Sequence, residues 1–390
     1  MSPLLPLFLT IFVDVLGFTL VIPLLPYYAQ HFGASPLEVG LLQSSYAAMQ
    51  LFSSPLLGAV SDRVGRKKTL LFSQVGTFVG FAVLASASSL AMLFAGRMIT
   101  GATAGNLTIA QAYISDVTPP EKRTRTFALI GIAFGFGFLF GPPLSGVLAE
   151  RFSYGAPAIV AAALSVLSAL ITFTRLPDLR PAPPGGTSPP PPRRSLSFGP
   201  FLALPAARQR LLQFLCFGLS FSTLMGGVPL YLSAQFHYNV RQTGYVFAYT
   251  GLVGAIIQGG LIRRLVAALG EEKLVTLGLL TMVAHGALGW VFSLPALLVV
   301  TAIGGIGLSV VRPSLTTLIT RSVPPDQQGA ALGVSQSLAS IGQIVGPISA
   351  GALIGRGWIA GFGLASAAWA LLGIALQAAP ASDEPLKPVG

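Results

Sequence analysis

Three ionisable side chains interrupt apolar stretches of this sequence, and they are the groups that could do chemistry inside a membrane: Asp14, Arg97 and Arg312. A charged residue at the centre of a membrane helix costs about 2.5–3.5 kcal/mol on insertion scales, and such residues usually mark proton, ion or substrate pathways. Asp14 is the only acid well inside an apolar stretch. We expect its carboxyl group to take up and release a proton, with a structural ion pair or an interhelical hydrogen bond as the alternative.

The two arginines differ in what surrounds them. The residues that share the helical face of Arg97 are small or polar: Gly101, Ala104, Thr108 and Gln111. Such a stripe on an otherwise apolar helix favours an interior cavity, although Arg97 could instead snorkel to the headgroups. Arg312 shares its face with Ser309 and Thr316. It could meet Asp14 across the protein, or stay apart from it and bind an anionic group.

The composition indicates an integral membrane protein. Hydrophobic residues make up 53% of the 390 residues and charged residues 9%, whereas soluble domains carry about 25% charged residues. The chain has room for about twelve apolar spans of roughly 20 residues. The net charge of +11 would suit nucleic acid, but the cations lie in short turns beside apolar spans, where they set topology. We therefore predict no nucleic-acid partner.

A proline-rich segment divides the apolar spans into two sets of six. Eight prolines lie within residues 177–192, and proline at that density cannot form a helix in lipid. We predict a six-helix bundle over residues 1–176, a cytoplasmic linker over 177–207, a second bundle over 208–380 and a cytoplasmic tail over 381–390. Residues 119–146 also repeat as residues 324–351 at an offset of 205. Parallel six-span repeats place a substrate site between them.

The cations fix the predicted orientation. The densest cluster is the segment 58–68, whose sequence is Gly-Ala-Val-Ser-Asp-Arg-Val-Gly-Arg-Lys-Lys, and most other cations lie in turns on the same side. Lys and Arg are enriched in cytoplasmic loops. We therefore predict an integral, multi-pass protein of the inner cell membrane with both termini in the cytoplasm.

The same segment resembles the loop between the second and third helices of major facilitator superfamily transporters. Other features resemble its drug:proton antiporter branch, and most of all the tetracycline-efflux pumps: the first span around Asp14, the fourth around Arg97, and the fifth-span pattern Gly137-x-x-x-Gly141-Pro142-x-x-x-Gly146. The loop from Arg263 to Lys273 resembles a decayed copy of the first-half cluster. The resemblance implies an all-α membrane protein of twelve transmembrane helices in two pseudo-symmetric six-helix halves.

The resemblance also implies roles for particular residues. Proton coupling would involve Asp14, Arg97 and Arg312. A charge network at the cytoplasmic gate would use Gly58, Asp62, Arg63, Gly65, Arg66 and Asp116. Helix packing by the antiporter motif would use Gly137, Gly141, Pro142 and Gly146. The substrate cavity would be lined by Phe18, Gln50, Gly101, Thr108, Gln111, Gln258, Gln336 and Gln343. We further expect Gly141-Pro142 to lie where the fifth helix meets the eighth near Gly251, and Gly346-Pro347 where the eleventh meets the second near Ser54.

Three positions depart from the tetracycline pumps. Gly80 stands where those pumps carry an acid in the third span, Gly254 where they carry a histidine in the eighth, and Arg312 where they carry a glutamine in the tenth. A tetracycline–metal chelate is therefore not the expected substrate. His285 lies in a ninth span that would face lipid, and we expect no functional role for it.

We predict a secondary transporter that exports amphipathic drugs or related small molecules in exchange for protons by alternating access. The sequence has no metal-ligand spacing, nucleotide-binding loop or catalytic triad, so we expect no enzyme activity, cofactor or metal. The expected partners are a small-molecule substrate, protons and the lipid bilayer, and we expect a monomer. The alternatives are an uncoupled metabolite facilitator or lipid flippase of the same fold, and a transporter-like membrane sensor.

Overall fold

A computed structural model describes residues 4–118, 120–178, 201, 203–324 and 327–378. Within these residues every regular element is helical. The predicted tail over 381–390 and most of the predicted linker lie outside the described residues. The far end of that linker does not: the seventh helix begins at Pro205, because proline suits the first turn of a helix.

The first six spans are built from eight helices. The first span is Leu4–Val21 followed by Leu24–His31, the second is Pro36–Val64, the third is Arg66–Ala85, the fourth is Leu90–Ala102 followed by Asn106–Val117, the fifth is Pro120–Arg151 and the sixth is Ala156–Arg175.

The second six spans follow the same order. The seventh is Pro205–Phe236. The eighth begins as Val240–Ile256 and passes through a π-helical turn at Ile257–Leu261; the helix Ile262–Met282 then joins it to the ninth, which ends in a 3₁₀ turn at Val283–Trp290. The last three are Leu294–Arg321, Gln328–Gly355 and Ile359–Ala378. The segment from Arg263 to Lys273 is helical except at Gly270, just as the segment 58–68 of the first half is helical except at Gly65.

Nine helical stretches of the described residues are long and apolar enough to cross a membrane. The count of spans is twelve because the second is more polar, the fourth is broken into two short helices, and the eighth and ninth run together over Val240–Trp290. The predicted all-α fold of twelve helices in two halves is confirmed.

The fourth span is not one continuous helix, because residues 103–105 interrupt it. Backbone groups freed at such a break need partners when no water is present. Serines of the neighbouring spans supply them: Ser53 Oγ donates to the Gly101 carbonyl at 2.6 Å, Ser54 Oγ donates to the Ala104 carbonyl at 2.8 Å, and Ser73 Oγ accepts from the Gly105 amide at 3.1 Å. The polar residues of the second and third spans therefore stabilise the bend in the fourth.

The repeat seen in the sequence extends to the backbone. Gly65, between the second and third spans, has φ +106°, and Gly270, between the eighth and ninth, has φ +74°. These glycines are 205 residues apart, the offset of the sequence repeat, and both need a conformation that L side chains rarely adopt. The two halves therefore make the same sharp turn at the same place.

We call the end that carries Arg63, Arg66 and Lys67 the basic end, and the other the opposite end. At the opposite end one apolar core contains residues of both halves, among them Tyr28 and Tyr231. At the basic end each half has a separate core. The two halves are therefore joined at one end only.

Pseudo-symmetric helix pairs make the contact at the opposite end. Gly40 of the second span lies against the Pro347 carbonyl of the eleventh, and Gly244 of the eighth lies against the Pro142 carbonyl of the fifth. Only a residue without a Cβ atom permits such close backbone approach. The same helix pairs separate toward the basic end, where six glycines have no described neighbour within 4 Å of an added Cβ atom: Gly131, Gly135, Gly259, Gly260, Gly329 and Gly333.

Candidate functional site

A cavity of about 290 Å³ lies between the two halves and is lined by side chains of both. Six of the predicted cavity residues line it: Phe18, Gln50, Thr108, Gln111, Gln336 and Gln343. The three predicted proton-coupling residues, Asp14, Arg97 and Arg312, line it as well. A site of this kind, largely apolar with a few polar groups, is typical of small-molecule binding.

Two of the predicted cavity residues lie elsewhere. Gly101 packs against the second span, where an added Cβ atom would lie 2.8 Å from Met49 Cβ. The second span covers Gly101, whereas Arg97 on the same helix and Ala104, Thr108 and Gln111 beyond the bend line the cavity. Gln258 is exposed in the π-helical turn of the eighth span and does not line the cavity, because the wider turn shifts the helical register there.

The carboxyl group of Asp14 is held by the fourth span rather than by an arginine. Asn106 Nδ2 donates a hydrogen bond to Asp14 Oδ2 at 2.9 Å, while Oδ1 is buried without a partner among the described residues. No ion pair within the described part of the chain joins Asp14 to Arg97 or Arg312. In this conformation Asp14 is therefore an interhelical hydrogen-bond acceptor.

A polar network of the first, third and sixth spans lies next to Asp14. Gln74 Nε2 donates to Ser168 Oγ at 2.7 Å and to Thr172 Oγ1 at 3.0 Å, and Thr172 Oγ1 lies 3.3 Å from Thr10 Oγ1. The sequence analysis missed Gln74, Ser168 and Asn106. The spacing of Ser165, Ser168 and Thr172 on one helical face was the signal that could have pointed to them.

Arg97 is buried against an aromatic ring. Its guanidinium carbon lies 4.4 Å from the centroid of the Tyr46 ring, its Nε has no described partner, and 5% of the residue is exposed. A cation over an aromatic face is attracted by the ring quadrupole. The Tyr46 hydroxyl also accepts a hydrogen bond from Gln50 Nε2 at 3.2 Å, and the centroid of its ring lies 5.7 Å from that of the Phe18 ring. Arg97 therefore does not snorkel to the headgroups, and Tyr46 is a cavity residue that the sequence analysis missed.

Arg312 has an exposed surface that lines the cavity. Its backbone carbonyl accepts a hydrogen bond from Thr316 Oγ1 at 2.8 Å. Its guanidinium group has no hydrogen bond or ion pair among the described residues. The whole hydrogen-bonding edge of this side chain therefore remains available in the cavity.

The position of Gly80 explains one departure from the tetracycline pumps. A Cβ atom at Gly80 would lie 2.9 Å from the Gly96 carbonyl oxygen and 3.0 Å from the Thr100 amide nitrogen. The third and fourth spans are packed too closely there for an acidic side chain. At Gly254, by contrast, the nearest atom is Ser309 Oγ at 3.2 Å, so the missing histidine is not excluded by backbone contact.

The predicted gate residues form a charge network at the basic end. Arg66 forms ion pairs with Asp62 and, at 2.8 Å, with Asp116, and its Nη1 donates to Ser61 Oγ at 2.6 Å. Gly58 packs near the Thr108 methyl group, and Gly65 supplies the positive φ of the turn. Arg63 has no ion pair among the described residues.

The antiporter-motif glycines face two different neighbours. Gly137 and Gly141 pack against Thr19 of the first span, whereas Gly146 lies against Arg241 of the eighth. The prediction that Gly141-Pro142 lies where the fifth helix meets the eighth therefore holds for Pro142, whose carbonyl lies against Gly244, and is wrong for Gly141. Adjacent residues of a helix point about 100° apart, so Pro142 reaches the eighth span while Gly141 contacts its own half.

The second-half counterpart follows the same rule. Gly346 packs against Ser222 of the seventh span, while Pro347 contacts Gly40 of the second. The expected neighbours also differ. A Cβ atom added at Gly251 would lie 3.2 Å from the Phe138 carbonyl oxygen, and Ser54 donates a hydrogen bond to the Ala104 carbonyl of its own half.

Comparison with known proteins agrees with this architecture. Residues 7–288 and 262–389 match the sequence profile of the Major Facilitator Superfamily. The tetracycline resistance protein, class C, of Escherichia coli is 30% identical over 378 residues, which cover 91% of this chain and 92% of that protein.

Two solved structures share the fold. The human organic anion transporter MFSD10 (TETRAN) superposes with a TM-score of 0.73 at 26% identity and covers 96% of this chain and 98% of its own. A bacterial homolog of the human lysosomal transporter Spinster superposes with a TM-score of 0.75 at 18% identity, covering 96% of this chain and 95% of its own.

Proposed function

The chain belongs to the Major Facilitator Superfamily of membrane transporters, and from this premise we propose that it exports amphipathic small molecules in exchange for protons by alternating access. It is an integral, multi-pass membrane protein. We place it in the inner cell membrane as a monomer. We place the basic end and both termini in the cytoplasm, because Lys and Arg are enriched in cytoplasmic loops.

One observation carries the proposal: the halves contact each other at the opposite end and are separate at the basic end, with a cavity between them. Gly40 touches the eleventh span, while an added Cβ atom at Gly329 or Gly333 of that span would have no described neighbour within 4 Å. With the basic end in the cytoplasm, this is the inward-facing state of an alternating-access cycle. The outward-facing state requires the same helix pairs to separate at one end and meet at the other.

Asp14 supports the proton-coupling part of the proposal. It lines the cavity, and its hydrogen bond from Asn106 suits the ionised carboxylate. A carboxyl group that is neutral in one state and charged in the other biases the equilibrium between the two states. Protons on the outside would load Asp14 in the outward-facing state, and the inward-facing state would release them.

The relatives support transport of amphipathic molecules. One is a tetracycline resistance protein and another is an organic anion transporter. Because Gly80 and Gly254 replace the acid and the histidine of the tetracycline pumps, and Arg312 replaces a glutamine, we do not transfer tetracycline to this chain.

Reconstitution of the purified full-length protein into proteoliposomes tests the proposal. We expect a fluorescent amphipathic compound to accumulate when a pH gradient is imposed and to equilibrate only slowly without one. Equal movement with and without the gradient would favour an uncoupled facilitator or flippase instead. No movement under either condition would favour a membrane sensor.

A further inference from the structure

We propose that the substrate is an amphipathic organic anion whose acid group binds Arg312. This inference rests on the proposed function only in taking the cavity as the transport site. It names the chemical class of the ligand, and it assigns the two cavity arginines different roles.

The charges of the cavity are unbalanced. Among its lining residues only Asp14, Arg97 and Arg312 are ionisable at neutral pH. Two cations and one carboxylate give a formal charge of +1, and protonation of Asp14 makes it +2. Neither arginine has an ion-pair partner among the described residues. Charges withdrawn from bulk water without a partner are costly, so an anion entering this cavity is stabilised and a cation is repelled.

The two arginines are not equally available to a ligand. Arg97 is almost fully buried and its guanidinium group stacks on Tyr46. Arg312 is exposed to the cavity. Among the described residues its guanidinium group forms no ion pair with an acid and does not stack on an aromatic ring. A free guanidinium group can bind a carboxylate or sulfonate through two parallel hydrogen bonds. We therefore assign direct contact to Arg312 and a longer-range electrostatic role to Arg97.

The rest of the lining explains why the anion must be amphipathic. Large apolar side chains from both halves face the cavity: Phe18, Phe81, Phe134, Phe138, Phe221 and Met225. A small inorganic anion would leave these surfaces uncovered, whereas an aromatic acid would bury them and gain hydrophobic stabilisation. Amide side chains such as Gln336 and Gln343 add neutral hydrogen-bonding groups without changing the charge.

Asp14 is not the ion-pair partner of Arg312 in this structure. Its Oδ2 is engaged by Asn106 from the first half's own fourth span, so it is not drawn toward the cation of the other half. The competing role for Arg312 is a partner of Asp14 in the outward-facing state. That role predicts that loss of Arg312 impairs every substrate equally, whatever its charge.

Binding of three matched probes tests the proposal: anthracene-9-carboxylate, anthracene-9-carboxamide and 9-(aminomethyl)anthracene, which are anionic, neutral and cationic at pH 7. The full-length protein in detergent is titrated with each probe and fluorescence is recorded. We expect the carboxylate to bind at least tenfold more tightly than the carboxamide, and the amine to bind most weakly. A charge-assisted bidentate contact is worth a tenfold change or more.

Two variants separate the roles. Arg312→Gln should weaken carboxylate binding by about tenfold or more and leave carboxamide binding within about twofold, while Arg312→Lys should recover only part of the loss because it cannot bind bidentately. Arg356→Gln removes the same charge at the opposite end, away from the cavity, and should change neither value.

The outcomes are distinguishable from those of the transport experiment, because binding in detergent needs no gradient and no transport cycle. Equal affinity of the wild type for carboxylate and carboxamide would overturn the anion proposal and leave proton-coupled export standing. Equal losses for both probes in Arg312→Gln would overturn it in favour of the Asp14 partnership. Anion preference without gradient-driven transport would support this inference while the proposed function fails.

Discussion

Arg66 Nε lies 2.8 Å from Asp116 Oδ2 at the basic end of the first half, and the equivalent places of the second half hold the same ion pair with its charges exchanged. There Arg321 Nη2 lies 3.1 Å from Glu271 Oε1. Arg66 and Glu271 are 205 residues apart, as are Asp116 and Arg321. In each half the first member follows the turn glycine and the second ends the fourth helix of that half. Both halves thus hold an ion pair at these two positions, but the position that is positive in one half is negative in the other.

The exchanged pair predicts which half tolerates charge reversal. In the second half, Glu271→Arg combined with Arg321→Glu should leave the thermal unfolding midpoint unchanged, because position 267, the counterpart of Asp62, is Ala267. In the first half, Arg66→Glu combined with Asp116→Arg should destabilise the protein by about 1 kcal/mol, since the introduced carboxylate would face Asp62.

Adding Asp62→Asn to the first-half exchange should recover most of the lost stability. Each single reversal is the control, because it places like charges together in either half. If both double exchanges are equally neutral, the contact between Arg66 and Asp62 has no energetic importance.

Asp62 alone tests whether the basic loop does more than set topology. Asp62→Asn keeps every cation, so membrane orientation measured by cysteine accessibility should match the wild type. We expect the transport rate to fall by at least about tenfold, because Arg66 loses one of its two carboxylate partners and the gate that it organises closes less well. Full transport activity in this variant would leave the loop with a purely topological role.

Asp14→Asn tests the proton site. The amide cannot take up a charge, so gradient-driven accumulation in proteoliposomes should be abolished, while substrate binding and exchange down a concentration gradient remain measurable. Glu38→Gln is the matched control, because Glu38 is an exposed acid that only caps the second span through Ser35. Accumulation against a gradient by Asp14→Asn would move the coupling role elsewhere and favour a facilitator.

Gly40 tests the closed end. Gly40→Leu would place a side chain against the Pro347 carbonyl, so the second and eleventh spans could not approach and the protein should populate the outward-facing state. Labelling of a cysteine at the opposite end, in a Cys216→Ser background, should become at least about tenfold faster. Gly135→Leu is the control, because it adds the same side chain where no described atom lies within 4 Å. Similar labelling of the two variants would contradict this packing.

Tyr27 tests the hydrogen bonds that join the halves. Its hydroxyl oxygen lies 2.5 Å from Thr243 Oγ1 and 3.1 Å from the Tyr238 carbonyl oxygen, and both partners belong to the second half. Tyr27→Phe should shift the equilibrium toward the outward-facing state by about 1 kcal/mol, or roughly fivefold. The same labelling assay measures the shift, and Tyr28→Phe is the control, since Tyr28 bonds only to Ala87 of its own half. An equal effect of both changes would argue against a role in closure.

Much of the fold could be predicted from the sequence because its signals are local. Apolar runs of membrane length, the proline-rich divider, the repeat at offset 205 and the basic turn each depend on residues close together in the chain. Backbone N–H and C=O groups without hydrogen-bond partners are costly in lipid, and in an apolar run of about 20 residues a helix satisfies them within the run itself. Twelve helices in two halves follow from these features, whereas the contact of Arg66 with Asp116, 50 residues apart, was implied only by the resemblance to major facilitator transporters.

The tertiary structure alone decided which residues meet and which end is closed. Gly101 lies outside the cavity because it packs against Tyr46 and Met49 of the second span, and the Tyr46 ring lies in the cavity because it stacks on Arg97. Gly141 faces its own half, not the eighth span. Such choices depend on packing between spans far apart in sequence, where a rotation of one residue redirects a side chain by about 100°. The closed end is set by a small free-energy difference between two packings of the same helices, and no local pattern of residues encodes that difference.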